Sequence, residues 1–386
     1  MSDFRLRAPS RILLVTTGLR MGGAEQQVAA LAREFIARGR QVALVSLTPD
    51  CEVPISDAVE RLMLDMHKTP LSMAQALLTT RRFLRRWQPD IIHAHMFHAN
   101  LFARLLTRIA PTPPLICAAH SYSEGGSQRM LAYRLTDRWC TLTTHVSEGS
   151  RAHMIETGAV RADRIVVVHN GIDTEQFQPD PHLRDLARAQ LGVDAGTRLV
   201  LNIGRLVPEK AQSVLIDAYH RMERSRPTTL LIAGDGPERP ALEAQIAKLK
   251  LAQSVRLLGT RNDIPALLNA ADLFVLSSRV EGMPLVVGEA LACGRPVVAT
   301  AAPGVAELLG DAGNIVPIDD VDALARVMQG ALSASPGTRE DESTRRQRIA
   351  SGYSLSAAAE RWLALYQQLF SAASANQVHS DPCGDA

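Results

Sequence analysis

The sequence predicts an α/β protein made of two halves, each a parallel sheet wrapped in helices. Short β-branched runs alternate along the chain with amphipathic stretches of helical period, the pattern of parallel strands joined by crossover helices. The alternation restarts after one polar stretch, QPDPHLRDLARAQLGVDAGT (178–197). At 386 residues the chain is long enough to form two substantial cores.

The elements follow in order. RILLVTTG (11–18) opens the first half as a strand, and AEQQVAALAREFIARG (24–39) follows as a helix that stops at Gly39. QVALVSL, PDIIHAH, PLICAAH and RIVVVHNG continue as strands. RLVLNIG, TTLLIAGDG, SVRLLG, ADLFVLSS and PVVAT form the second series, with helices between them. SLSAAAERWLALYQQLF (354–370) is an amphipathic helix with Trp362, Leu365, Tyr366 and Leu369 on one side. The segment after it carries little to bury and is expected to be disordered. The domains therefore read as 1–177, a linker at 178–197, 198–353, a helix at 354–371 and a tail at 372–386. Open parallel sheets bind ligands at the carboxyl ends of their strands, so two Rossmann-like halves are expected to face each other across a cleft.

Composition narrows the function. Lys plus Arg is 42 and Asp plus Glu 40, a net charge of +2, which argues against a dedicated nucleic-acid binder. No early run resembles a signal peptide and no stretch is long enough to span a bilayer. The five scattered cysteines read as free thiols in a reducing compartment, so the expected location is the cytoplasm.

EGMPLVVGE (281–289) sets a glutamate at each end of an apolar segment, where unpaired charge is costly. Pro284 suits the first position of a helix and Gly294 its end, which leaves Glu281 in the loop before the helix and Glu289 in its second turn. Even on one continuous helix they would stand about 12 Å apart along the axis, too far to meet on one atom. They could grip two parts of an elongated ligand, with the amides near Met283, Leu285 and Val286 between them as a phosphate site. The structural alternative places one in a solvated loop and the other on a surface face. Upstream, LNIGRLVPEK (201–210) puts Arg205 and Lys210 in the loop after a strand, where two cations can straddle a diphosphate.

GRLVPEK, IAGDGPER, LGTRNDIP and the E-x7-E segment, in that order and spacing, resemble the family 4 glycosyltransferases, and the resemblance runs from GGAEQQVAALA through HNGID to the last helix. It implies the two-domain GT-B fold, with the last helix crossing back to the N-terminal domain. It implies that Arg205 and Lys210 neutralise a donor diphosphate in place of a metal, that Glu289 holds the ribose and that Glu281 contacts the donor hexose. Gly22 and Gly23 would bring backbone amides close to the phosphates from the opposite domain, and His120 matches a histidine placed near the reacting sugar. Base recognition would use backbone around Thr260 and Arg261. The implied reaction retains anomeric configuration by front-face attack of an acceptor hydroxyl. Ala211 stands where the family often has glycine, and Met283 where many members have phenylalanine.

Other motifs admit different chemistry. HAHMFH offers His93, His95 and His98, which also suits a metal-dependent hydrolase, although no matching Asp and His series follows. GDGPER (234–239) imitates a dinucleotide fingerprint but has Arg239 for its third glycine. DVD (320–322) resembles a metal motif, and helix capping accounts for it better. In LLTTRRFLRRWQPD, Leu77, Thr80, Phe83, Leu84 and Trp87 share one arc and Arg81, Arg82, Arg85 and Arg86 the other, which suits either an anionic membrane surface or packing under a sheet. Glu124 and Arg129 lie in an acceptor-side loop, with no role that spacing supplies.

The expected function is a retaining, cytoplasmic glycosyltransferase that moves a hexose from a UDP-linked donor, without a cofactor or metal, to a glycan or lipid-linked acceptor in cell-surface polysaccharide or glycolipid synthesis. If the basic helix meets a membrane rather than packing under the sheet, the expectation extends to a peripheral contact with the inner membrane face, which would suit a lipid-linked acceptor. The alternatives are a metal-dependent hydrolase built on His93 and His95 and a catalytically silent sugar-nucleotide-binding module.

Overall fold

A computed structural model of the protein describes residues 8–20, 22–122, 124–223, 226–310, 314–334 and 339–380. The chain divides into two compact units, Met1–Gly171 with Leu355–Ala386, and Ile172–Ser354.

Unit 1 carries strands β1 (Arg11–Thr16), β2 (Gln41–Ser46), β3 (Glu60–Met63), β4 (Ile91–His95), β5 (Leu115–Ala119), β6 (Leu142–His145) and β7 (Ile165–Val167). They form one parallel sheet in the order β3-β2-β1-β4-β5-β6-β7. Its helices are α1 (Gly23–Ala37), α2 (Pro70–Trp87), α3 (Phe97–Leu106), α4 (Ser127–Thr136) and α5 (Glu148–Glu156). The two-residue period of β1 splits its side chains between two cores, Ile12 and Leu14 with Phe35 of α1, Leu13 and Val15 with Phe83 and Trp87 of α2. Of the two readings of the basic helix, packing under the sheet holds for its apolar arc. Arg82, Arg85 and Arg86 are exposed, and Arg86 pairs with Glu60.

Unit 2 opens with α6 (Pro181–Leu191), followed by β8 (Arg198–Ile203), α7 (Gln212–Arg221), β9 (Thr228–Ala233), α8 (Arg239–Lys248), β10 (Val255–Gly259) and α9 (Ile264–Ala270). It continues with β11 (Leu273–Leu276), α10 (Leu285–Ala292), β12 (Val297–Thr300), α11 (Val305–Leu309), β13 (Asn314–Val316), α12 (Val321–Ser333) and α13 (Arg339–Gly352). The strands form a second parallel sheet, β10-β9-β8-β11-β12-β13. Asp320 caps α12 by accepting the Ala323 N–H at 2.9 Å, which is what DVD does.

The last helix, α14 (Leu355–Ser380), packs on unit 1, where Trp362 and Tyr366 join the core beside Phe35 of α1. It continues beyond residue 371, so residues 372–380 are helix rather than disordered tail, and 381–386 lie outside the described residues. The boundary between units falls at Gly171, not at 177. The expected linker at 178–197 is part of unit 2 because its polar residues have partners there. Asp180 caps α6, and Arg184 and Arg188 both reach Asp272, at 2.7 and 3.2 Å. Among the described residues Cys117, Cys140 and Cys293 are buried and Cys51 is exposed, all as free thiols, and no helix is long and apolar enough to cross a membrane.

Candidate functional site

In an open parallel sheet a crevice forms where the strand order reverses. In unit 2 that point lies between β8 and β11, and the loop leaving β8 is tightly held there. A Cβ on Gly234 (φ +137°) would lie 2.0 Å from the Gly204 carbonyl oxygen, and one on Gly236 would lie 2.4 Å from that of Leu206. The glycines of GDGPER therefore let the turn after β9 stack on the Gly204–Leu206 loop; close backbone packing, not a dinucleotide, accounts for them. Further on, Ser277 Oγ donates to the Lys210 carbonyl at 2.9 Å, Arg279 N to that of Glu209 at 2.8 Å, and Arg279 Nη1 to that of Pro208 at 2.7 Å. These three bonds clamp the turn at Pro208–Lys210 to the segment after β11. They bring Lys210 Nζ to 2.6 Å from Glu281 Oε1, with Lys210 one quarter exposed and Glu281 buried.

Ala211, just beyond the turn, has φ +48° and ψ 40°, a left-handed conformation that costs an L-residue roughly 1–2 kcal/mol and explains why glycine suits this position. Arg205 is exposed, and its side chain has no partner among the described residues.

The helix of EGMPLVVGE begins at Leu285, one residue later than expected, because Pro284 is its N-cap with extended backbone. The amides of Leu285 and Val286 lie in the first turn, where a helix cannot satisfy its own donors. Met283 is buried. Gly304 (φ +76°) allows its loop to approach Met283, because a Cβ there would lie 2.4 Å from the Gly282 carbonyl oxygen. Glu289 falls in the second turn and is half-buried.

Burial pushes the Glu289 carboxyl from 4.5 up to about 7. The folded, ligand-free protein therefore keeps a proton there that the unfolded chain has already released. Stability is expected to fall by about 3 kcal/mol as pH rises from about 4.5 to about 7, and to level off above that. Glu289→Gln should remove this fall in denaturation midpoints measured between pH 5 and 8, and an unchanged slope would contradict the assignment.

Thr260 is exposed after β10. Arg261 is not free to read a base by its side chain, since its guanidinium forks onto Asp263 at 2.8 and 2.5 Å.

In unit 1 the order reverses between β1 and β4. Gly22 is the N-cap of α1 and Gly23 its first residue, at the end of the connection that follows β1. A Cβ on Gly22 would lie 2.4 Å from Glu25 Oε2, so a carboxylate already overlies this helix start. His95 ends β4, and its Nδ1 faces His120 Nε2, after β5, at 3.1 Å. Burial lowers the His120 pKa to about 4 and those of His93 and His95 well below the ordinary range, so all three rings are neutral near pH 7 and act as hydrogen-bond partners rather than cations. His120 Nδ1 and His95 Nε2 have no partner among the described residues.

The metal-hydrolase alternative fails on geometry. His93 is fully buried, its Nδ1 lies 2.6 Å from the Tyr366 hydroxyl, and its ring centroid is 4.2 Å from that of Trp362. Among the described residues no group of three or more metal-ligating side chains comes together.

Sequence reasoning missed Ser277, Arg279 and the contact between Lys210 and Glu281. Arg279 and Ser277 act on carbonyls, which no residue pattern identifies in advance.

Residues 184–350 match the family described as Glycosyl transferases group 1, and residues 21–176 match Glycosyltransferase Family 4. The UDP-Gal:alpha-D-GlcNAc-diphosphoundecaprenol alpha-1,3-galactosyltransferase of Escherichia coli is 26% identical over 66% of this chain and 69% of that protein. The GDP-mannose-dependent alpha-(1-6)-phosphatidylinositol monomannoside mannosyltransferase of Mycolicibacterium smegmatis is 32% identical over 70% of this chain and 74% of that protein. The structure of Anabaena HepE in complex with UDP and glucose matches with a TM-score of 0.79 at 24% identity, covering 93% of this chain and 100% of that one. Two doubly wound α/β units with charged and imidazole groups at their strand ends define the class, enzymes of the GT-B fold. The chain belongs to the group 1/family 4 glycosyltransferases.

Proposed function

We propose that this glycosyltransferase moves a hexose-type sugar from a UDP-linked donor to a hydroxyl of a glycan or lipid-linked acceptor in cell-surface polysaccharide or glycolipid synthesis, with retention of configuration. The observation that carries the reading is the Lys210–Glu281 pair, 2.6 Å apart beside the start of α10 at the β8/β11 reversal. An ammonium has three donors, so Lys210 can keep Glu281 and still offer two to phosphate oxygens. Arg205, exposed in the same loop, adds a fork for the diphosphate, and the first-turn amides of α10 add a dipole of the right sign.

In this reading the bond from the sugar's anomeric carbon to the β-phosphate oxygen breaks while the acceptor hydroxyl attacks from the same face, its proton passing to the leaving diphosphate. Lys210 and Arg205 stabilise the charge that develops there, Glu281 accepts from donor hydroxyls, Glu289 from the ribose, and His120 lies beside the reacting sugar. These cations take the place of a metal, so transfer should survive chelation by EDTA.

The names of relatives include both UDP-Gal and GDP-mannose, and the HepE complexes contain UDP. A thermal-shift screen of nucleoside diphosphates and nucleotide sugars decides the base. Saturating UDP at about 100 times its Kd should stabilise by about 3 kcal/mol. A shift with GDP alone would replace the proposed base, and no shift with any nucleotide would remove the donor site.

We also propose a peripheral membrane contact at the cytoplasmic face through α2. Leu71 and Leu78, 71% and 48% exposed, share one helical stripe with the exposed Arg82 and Arg85. Sedimentation with anionic liposomes should fall when Arg82 and Arg85 are changed to glutamine, and equal binding would sink this contact.

A further inference from the structure

The loop after β5 buries a carboxylate whose direct hydrogen-bond partners are two backbone N–H groups and a hydroxyl. Glu124 is 5% exposed and has φ +47°, a left-handed conformation uncommon for a residue with a Cβ, and Gly125 and Gly126 follow at φ +97° and +112°. Its Oε1 accepts the backbone N–H of His120 at 3.0 Å and that of Ser121 at 2.8 Å, and its Oε2 accepts the Tyr133 hydroxyl at 3.3 Å. The guanidinium of Arg129 donates to the Glu124 main-chain carbonyl at 2.8 Å and lies over the Phe97 ring, 4.9 Å from its centroid.

Each support is itself held. Asn100 Nδ2 on α3 donates to the Tyr133 hydroxyl at 2.8 Å and to the Ala118 carbonyl of β5 at 2.9 Å. On β6, His145 Nδ1 accepts the Val146 N–H at 2.8 Å, which leaves the ring proton on Nε2 to donate to the Ser121 carbonyl at 3.3 Å. The His120–Ser121 backbone is thus fixed from α3 through α4 on one side and from β6 on the other. Left-handed backbone and a buried carboxylate in one short loop are costs that folding alone does not require, and such costs gather where geometry matters to function.

We propose that Glu124 is a positioning residue, whose carboxylate fixes the His120–Ser121 backbone and so aims the His120 ring at the reacting sugar. This rests on the reading of His120 given above. Glutamine at 124 keeps a carbonyl oxygen for both N–H groups, whereas alanine removes the acceptor altogether.

The test is UDP release from UDP-glucose, with UDP affinity measured in parallel, for Glu124→Ala, Glu124→Gln, His120→Ala and the His120→Ala/Glu124→Ala double variant. Glu124→Ala should lose about tenfold or more in kcat with UDP affinity unchanged, and Glu124→Gln should stay within about threefold of wild type. The double variant should be no slower than His120→Ala, because Glu124 acts only through that ring. Multiplied losses in the double variant, or a glutamine variant as slow as the alanine one, would overturn the positioning role. Wild-type rates for Glu124→Ala beside a slow His120→Ala would overturn the placement alone. A fully active His120→Ala would remove the reading of His120 itself. If Glu124→Ala does not fold, Tyr133→Phe takes its place, since it removes the donor to Oε2; its kcat loss must vanish in the His120→Ala background, and persistence there would count against the proposal.

Discussion

Replacing Lys210 by alanine is expected to weaken UDP binding by about 2–3 kcal/mol, roughly 30- to 150-fold, and also to destabilise the ligand-free protein. The two effects have separate causes. Binding weakens because the ammonium no longer meets the diphosphate. Stability falls because Glu281, only 9% exposed on its side chain, loses the partner 2.6 Å away that offsets its burial. Lys210 is itself 25% exposed, which keeps the stability loss to about 1–3 kcal/mol. Adding Glu281→Gln should restore much of the stability and none of the UDP affinity. Arg205→Ala provides the contrast, since Arg205 is exposed without a partner among the described residues: it should weaken UDP binding and leave the unfolding midpoint in place. Calorimetric titration of UDP, with denaturant unfolding alongside, separates these effects, and wild-type UDP affinity in Lys210→Ala would remove the lysine from the donor site.

Replacing Glu281 by alanine should act in the opposite sense on the two observables. Transfer should fall by about a hundredfold or more, the usual cost of losing a charged contact that strengthens as the reaction proceeds. UDP, which has no hexose, should bind as well as before or more tightly, because Lys210 is then released from its internal partner and meets the phosphates without competition. Kinetics with a nucleotide sugar and titration with UDP together give the answer. A matching loss in both would mean that Glu281 serves the diphosphate and not the sugar.

The parts of this arrangement legible in the sequence are those with local causes. The strand β8 with Arg205 and Lys210 after it and the proline and apolar run that start α10 depend on residues a few positions apart, whereas the left-handed backbone at Ala211 emerged only in the structure. Short polar or peripheral strands were not legible. β3 pairs at one edge of its sheet and β13 at another, β13 is three residues long, and β6 reads Leu-Thr-Thr-His. The helix α6 was concealed by arginines whose partner, Asp272, lies more than 80 residues away.

The same distance concealed the pairing of Lys210 with Glu281, 71 residues apart, since two side chains assigned to different parts of a ligand gave no reason to expect contact. Glu124 was visible as a candidate but not as a support for His120, because its partners are two backbone N–H groups and a hydroxyl.

Retention of configuration and dependence on Lys210 are the two proposed properties that set the reaction apart. The most direct measurement follows the anomeric proton signals by NMR while the protein consumes the donor picked out by the nucleotide screen. The expected first product keeps the donor's anomeric configuration, appears in step with free nucleoside diphosphate and is absent with Lys210→Ala. An inverted first product, or one formed at the wild-type rate by Lys210→Ala, would contradict the account.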